Sequence, residues 1–367
     1  GIGGRKAPAR MAALVNGATS HALDYDDTHF AHVGHLSVAI YPAALAAAEE
    51  MNANAGDAIA AFLIGAEGAF RVGQVLGRAH YDLGFRQTAT SGAFGATMAA
   101  GRIYGLTREQ MRVALSLCAT RASGLKSQFG TMGKPYNAGI AAANGVECAM
   151  LARLGFHAAD DGVFGPQGFI ETHTPDAQGF AQTGSFLFAD NKYKLHACCH
   201  GTHAMIEALL ATGPVALHEV EAVTLRTNPR WLRVCDIKRP RTGLEVKFSY
   251  AWLAGMTLSG DATGDDRAYG DRLTTDPALM AFAGQVKVIG DEAVSDLQAF
   301  GVLRLMDGTE IPLEHDLAAP MEEAKLAQRL RAKAAAMLGQ SGKDLWGMLE
   351  GVDALTARAF AAPWQRE

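Results

Sequence analysis

Apolar and polar positions follow two rhythms along this chain. From residue 11 to about 153, apolar residues recur three and four apart, the period of helices that bury one face. The spacing predicts helices over 43–51, 57–76, 92–104, 108–122 and 140–154. Their starts carry capping chemistry: Asp57 follows Gly56, and Thr107 precedes Gln110 by three residues, as in a capping box. Ala93, Gly95, Ala96, Ala99 and Ala100 share one of these helices, which permits close helix–helix approach and leaves the chemistry to loops. Glycines interrupt the pattern between 155 and 191. Period-two alternation then takes over: 220–227 reads VEAVTLRT, and 286–289, 300–306 and 309–312 alternate in the same way. Asp307-Gly308 predicts a two-residue hairpin turn between the last two strands. Helical spacing returns from 321 to 361. The predicted fold is mainly α: an all-helical domain in two parts, 1–191 and 320–367, interrupted by an inserted α+β domain at 192–319. The C-terminal helices are expected to pack back on the first part.

Composition narrows the function. A chain of 367 residues exceeds a single core, and 49% hydrophobic with 19% charged residues describes an ordered globular protein. The net charge of −5, with Lys238-Arg239-Pro240-Arg241 as the one dense basic run, argues against a nucleic-acid partner. No continuous apolar run approaches the roughly 20 residues of a membrane span, so no membrane partner is expected. The N-terminus has neither an initiating Met nor the apolar segment of a signal peptide. Five cysteines, with Cys198 and Cys199 adjacent, do not form a disulfide framework, and a reducing cytoplasm is the expected location.

Candidate chemistry concentrates in one loop. His21, His29, His32 and His35 share fifteen residues with Asp24, Asp26 and Asp27, between Ala-rich helical runs. Such a titratable cluster on a helical scaffold points to a site. The ordinary alternative is a polar loop whose Asp and His side chains cap helices and turns. A second loop, 80–92, carries His80, Tyr81 and Arg86; a third, 126–139, carries Lys134 between Gly133 and Pro135, ahead of an Ala-rich helix. A lysine beside a helix start suits an anionic ligand. DDTHF alone would also suit a magnesium-binding aspartate motif, but no second such motif accompanies it. His196, His200 and His203 with Cys198 and Cys199 are contiguous rather than spaced as zinc ligands.

The ordered segments NGATSHALDYDDTH…GHLS, GFRQTATSGAFGA, FGTMGKPYNAG, Lys194…GTH and PRTGLEVKFS resemble the motif series of the MmgE/PrpD family across essentially the whole chain. The resemblance implies a helical domain interrupted by an α+β lid, a homodimer, and a site in the cleft between the domains. It also implies helices ahead of GIGGRK, which this sequence lacks. The implied activity is that of a cofactor-independent, metal-independent lyase on a small anionic di- or tricarboxylate. Its chemistry is proton transfer at a carbon beside a carboxylate, and a 2-methylcitrate dehydratase-like reaction is expected. An iminodisuccinate epimerase-like reaction is the alternative, and a carboxylate-binding protein without turnover a further one.

Carried over residue by residue, Asp24 and Thr28 fall on positions lining the family's site. His35 falls on the histidine of its HPS motif, Lys134 on the lysine of GTMTKP, and Lys194 on the lysine opening the lid-side motif. Asp24, His35, Lys134 and Lys194 are the expected catalytic residues; Thr28, Tyr81, Arg86, Asn137 and His203 are the expected substrate contacts. Arg86 and Asn137 stand where the family has histidines, Leu36 and Gly133 where it has the HPS proline and the GTMTK threonine, and Trp252 where it has a lid tyrosine. These departures change the proton-handling set, keep the lysines, and point away from cis-aconitate decarboxylase.

Overall fold

The computed structural model describes residues 6–30, 32–180, 184 and 186–364, the side chain of Trp364 excepted. The chain divides into two compact units: Gly1–Tyr193 with Lys343–Glu367, and Lys194–Gly342.

The first unit is a helical bundle. It contains α1 (Ala9–Ser20), α2 (Ser37–Met51), α3 (Ala55–Asp82), α4 (Thr90–Ile103), α5 (Arg108–Ala119), α6 (Gly133–Arg153) and the short α7 (Phe169–His173). Helix α4 lies at the centre, packed on α2, α3, α5 and α6, while α1 packs on α6 and α2. Small residues make this density possible: a Cβ added at Gly65 in α3 would meet the Gly95 carbonyl of α4 at 2.4 Å. Phe70, Leu76 and Phe94 fill the remaining space and are almost fully buried; each such side chain contributes about 1.5–3 kcal/mol of transfer free energy.

Helix ends follow local chemistry. Asn54 caps α3 by accepting from the Asp57 amide, and Thr107 with Gln110 forms both halves of a capping box on α5. Helix α3 bends at Gly77, whose φ of 65° and ψ of −171° leave the helical region. By length and a mean hydropathy of 1.4 over 18 residues, α3 is apolar enough to cross a bilayer, which the lack of a continuous apolar run did not suggest. Its polar face carries the Glu67–Arg71 pair, and half of that window is buried in the protein.

The C-terminal segment closes this unit. Ala55 N–H donates to the Leu355 carbonyl and Ala357 N–H to Ala53, while Ala357 and Ala361 pack with Leu45, Ala48 and Ala58.

The second unit holds α8 (His203–Leu210), β1 (Val220–Thr227), α9 (Pro229–Cys235), α10 (Gly243–Val246), α11 (Tyr250–Leu258) and α12 (Pro277–Ala283). After these come β2 (Val286–Gly290), β3 (Gln298–Leu305), β4 (Glu310–Asp316) and α13 (Glu323–Leu338). The sheet order is β2-β1-β3-β4, with β1 and β2 parallel and the other pairs antiparallel. The parallel pair needs a crossover, and α9 to α12 supply it. Val220, Val223, Leu225 and Thr227 of β1 are buried, and α8 covers β3 and β4.

Two expectations change here. Leu305 N–H donates to the Thr309 carbonyl, so the hairpin loop has three residues, 306–308, with Gly308 left-handed at φ 88° rather than a two-residue turn. Helix α13 does not join the first unit, as its helical periodicity suggested. Arg329 pairs with Glu207 at 2.5 Å and Lys333 donates to the Lys194 carbonyl at 2.8 Å, both within the second unit. The return to the first unit comes later, at Lys343 rather than 320.

Candidate active site

The loop between α1 and α2 is held in an unusual path. Asp24 and Val33 adopt left-handed backbone at φ 53° and 58°; aspartate tolerates this region well and valine poorly. Thr28 pairs with Lys192 and His29 with Gly34 in isolated bridges, so the segment folds back on itself.

The path divides the histidines into two sets. His29 stacks on Phe70 with ring centroids 4.0 Å apart and donates from Nε2 to the Leu187 carbonyl. His32 is fully buried, with Nε2 bonded to Ser91 Oγ and its ring against Gly34 and Gly73. These two act as core residues, and burial lowers the pKa of both.

His21 and His35 instead flank Asp26. His21 Nδ1 lies 2.8 Å from Asp26 Oδ1, and His35 Nδ1 lies 3.1 Å from Asp26 Oδ2. His35 Nδ1 is also 2.8 Å from the Asp27 backbone oxygen and 3.5 Å from Thr28 Oγ1. A carbonyl oxygen only accepts, so Nδ1 of His35 carries the proton and Nε2 keeps the lone pair in the neutral ring. The Thr88 hydroxyl accepts from the His35 amide at 3.0 Å and fixes that residue's backbone.

The charges of this group follow from burial and neighbours. Burial pushes the Asp26 carboxyl up, but His21 and His35 outweigh it and hold the group well below the usual range. Burial takes His21 down to about 4 despite Asp26 beside it, with Arg86 adding to the fall. Asp27 is raised, by burial first and by the Asp26 charge second. Its Oδ2 accepts from Ser37 Oγ and Asn191 Nδ2, both at 2.7 Å. This ties the loop to the start of α2 and to residue 191.

Two cations complete the arrangement. Lys134, in the first turn of α6, places Nζ 2.5 Å from Asp24 Oδ1, with the two side chains 20% and 18% exposed. Arg86 is buried; Nη2 donates to His21 Nε2, and the guanidinium lies 5.0 Å from the Phe129 ring centroid. Among the described residues, His21, Asp24 and Asp26 bring potential ligand atoms within 4.8 Å of one another. The Lys134 ammonium and Arg86 guanidinium already place positive charge against Asp24 and His21.

Of the expected site residues, Asp24, Thr28, His35, Arg86 and Lys134 are brought together. Tyr81 lies near Arg86 electrostatically, but its ring is covered by Lys126 Nζ at 3.8 Å. Asn137 is buried and donates to the Leu125 carbonyl, which fixes the third loop. In the second unit Lys194 is 1% exposed; burial pushes the nearby Cys198 thiol up to about 12, with the Lys194 charge opposing the rise. His203, at the start of α8, is held well below the usual imidazole range by burial first, then by His200, His196 and Lys194. Sequence reasoning did not single out Asp26 and His21, which the structure places beside His35 and Asp24. Both stood in the titratable cluster, yet nothing in their spacing separated them from His29 and His32.

Comparison with known proteins fits these observations. The MmgE/PrpD N-terminal domain matches residues 2–179 and the MmgE/PrpD C-terminal domain residues 196–345. The chain is 32% identical over 226 residues to a cis-aconitate decarboxylase of Aspergillus terreus, a match covering 56% of this chain and 46% of that protein. It is 32% identical over 153 residues to the Homo sapiens cis-aconitate decarboxylase, covering 40% of this chain and 32% of that one. The Mus musculus protein of the same name is 31% identical over 153 residues. The matched stretch spans less than half the length of each of these relatives. Matched by both domain descriptions, over most of its residues and in the expected order, the chain belongs to the MmgE/PrpD family.

Proposed function

We propose that this protein is a cofactor-independent lyase that removes a proton from a carbon beside a carboxylate of a small di- or tricarboxylate. The observation that carries the reading is His35, whose Nδ1 is bonded to the Asp27 backbone oxygen, with Asp26 Oδ2 3.1 Å away. Its Nε2 is thereby left as the base, as a carboxylate-oriented imidazole requires. Lys134 is the electrophilic partner: its ammonium stabilises charge delocalised onto the substrate carboxylate as the proton leaves. Asp24 holds that ammonium in place, and Thr28 lies beside the base.

For a 2-methylcitrate-like substrate the C–H electron pair becomes the new C=C bond as the C–O bond breaks. The departing hydroxide takes up a proton and leaves as water. Decarboxylation is the second reading, favoured by the names of the curated relatives; there the C–C bond to a carboxylate breaks, CO2 leaves, and the resulting carbanion is protonated. Epimerisation, the third, returns the proton to the opposite face. Lys194 and His203 are proposed to act in turnover and are tested by substitution in their own right.

Proton NMR of the protein incubated in deuterated water with 2-methylcitrate, cis-aconitate and iminodisuccinate separates the three. Dehydration yields an alkene without CO2, decarboxylation yields CO2, and epimerisation incorporates deuterium without net loss of mass. Unchanged spectra for all three acids, with binding intact, would replace the enzyme reading by a carboxylate-binding protein.

A further inference from the structure

Arg86 does something for the His35 base that its position outside direct contact conceals. The guanidinium is buried, and its Nε and Nη1 have no hydrogen-bond partner among the described residues; its Nη2 bond goes to His21 Nε2. A guanidinium cannot accept, so His21 Nε2 must present its lone pair, and the ring's proton sits on Nδ1. That proton points at Asp26 Oδ1 at 2.8 Å, and the other oxygen of Asp26 faces His35 Nδ1 at 3.1 Å. The four groups form a directional chain: guanidinium, neutral imidazole, carboxylate, catalytic imidazole.

The direction matters because one carboxylate serves two histidines whose rings lie 5.1 Å apart. Were His21 a cation, it would form a full ion pair with Asp26, and His35 would lose its anionic neighbour. We propose that Arg86 is a positioning residue: its guanidinium keeps His21 uncharged and donating from Nδ1, so that the Asp26 charge is left to orient His35. The part concerning His35 as the base rests on the function proposed above; the part concerning His21 stands alone. The charged and titratable groups facing His21 are Asp26, Asp24, Arg86 and His35, with the Lys134 ammonium on Asp24 as the further cation. Of these, Arg86 is the one whose hydrogen bond blocks protonation at Nε2. The low His21 pKa, set first by burial, is in accord.

The experiment is imidazole nitrogen NMR of histidine-labelled protein from pH 5 to 8, with His21 assigned by its loss in His21→Gln. In the wild type His21 is expected neutral and protonated on Nδ1 throughout the range. Arg86→Lys keeps the charge and a donor and should leave this state unchanged. Arg86→Met and Arg86→Gln remove the charge and should raise the His21 midpoint by at least about one pH unit. Circular dichroism confirms that each variant is folded. A wild-type His21 that is cationic at pH 7 or protonated on Nε2 would overturn the proposal, with or without foldable variants. So would a His21 midpoint unmoved in folded Arg86→Met or Arg86→Gln. None of these readouts requires turnover, so failure here is distinct from failure of the enzymatic reading.

Discussion

Replacing Lys134 by Met separates a catalytic ammonium from a loop clamp. The Lys134–Asp24 pair is close, 2.5 Å, yet each side chain keeps about a fifth of its surface in water. Pairs of that exposure contribute about 1 kcal/mol or less to stability, since hydration of the freed carboxylate offsets most of the lost attraction. Such a loss lowers the melting temperature by about 2–4 °C in a unit of this size. A clamp alone would therefore cost activity by no more than about tenfold. Removing a positioned charge that stabilises a developing oxyanion costs about 2.7–4 kcal/mol, or roughly 10²–10³ in kcat. The assay is the initial rate of proton loss from the reacting carbon, by NMR in deuterated water, beside a melting curve of the same preparation. Asp24→Asn is the companion variant: asparagine tolerates the left-handed backbone at φ 53°, so charge is removed without added strain. The account expects Lys134→Met to lose at least about a hundredfold in rate with a small thermal shift. A loss within tenfold, or one that tracks a large drop in melting temperature, would refute a catalytic role.

Acid should weaken the protein through its buried neutral histidines. The folded pKa of His21 is lowered from 6.5 to about 4, so its contribution is fully present above pH 6.5 and is lost as pH falls toward 4. The difference of about 2.5 pH units corresponds to roughly 3 kcal/mol. Denaturation of His21→Gln followed across that window should show a shallower pH dependence than the wild type, and an equal slope would exclude His21 as a contributor. A chelator should leave the exchange rate unchanged, because the Lys134 ammonium and Arg86 guanidinium supply the positive charge at Asp24 and His21. Loss of activity on chelation, restored by zinc or magnesium, would contradict that.

Much of the architecture is local and therefore readable from sequence. The capping box at Thr107 and Gln110 is a three-residue interaction, and both its bonds are present. The alternation of β1 is its burial pattern from Val223 to Thr227, and only the register shift between Val220 and Ala222 breaks it. Helix α13 was legible as a helix but not by its partner. The Arg329–Glu207 pair spans 122 residues, and amphipathic spacing carries no address for the face it covers. The site shows the same limit. Four histidines in one loop looked alike, and the left-handed turns at Asp24 and Val33 decided which two meet Asp26 and which two enter the core. Tyr81 and Asn137 look like site residues by position, yet their side chains are engaged with Lys126 and Leu125.

The central claim is that His35, oriented through Nδ1, removes a proton from the carbon beside a carboxylate. Its most direct test is deuterium incorporation at that carbon, in deuterated water, by wild-type protein and His35→Gln with the acid found active in the screen. The account predicts rapid exchange or turnover by the wild type. In folded His35→Gln it predicts loss of at least about a hundredfold, the scale of general-base catalysis. Exchange by His35→Gln at the wild-type rate would contradict it.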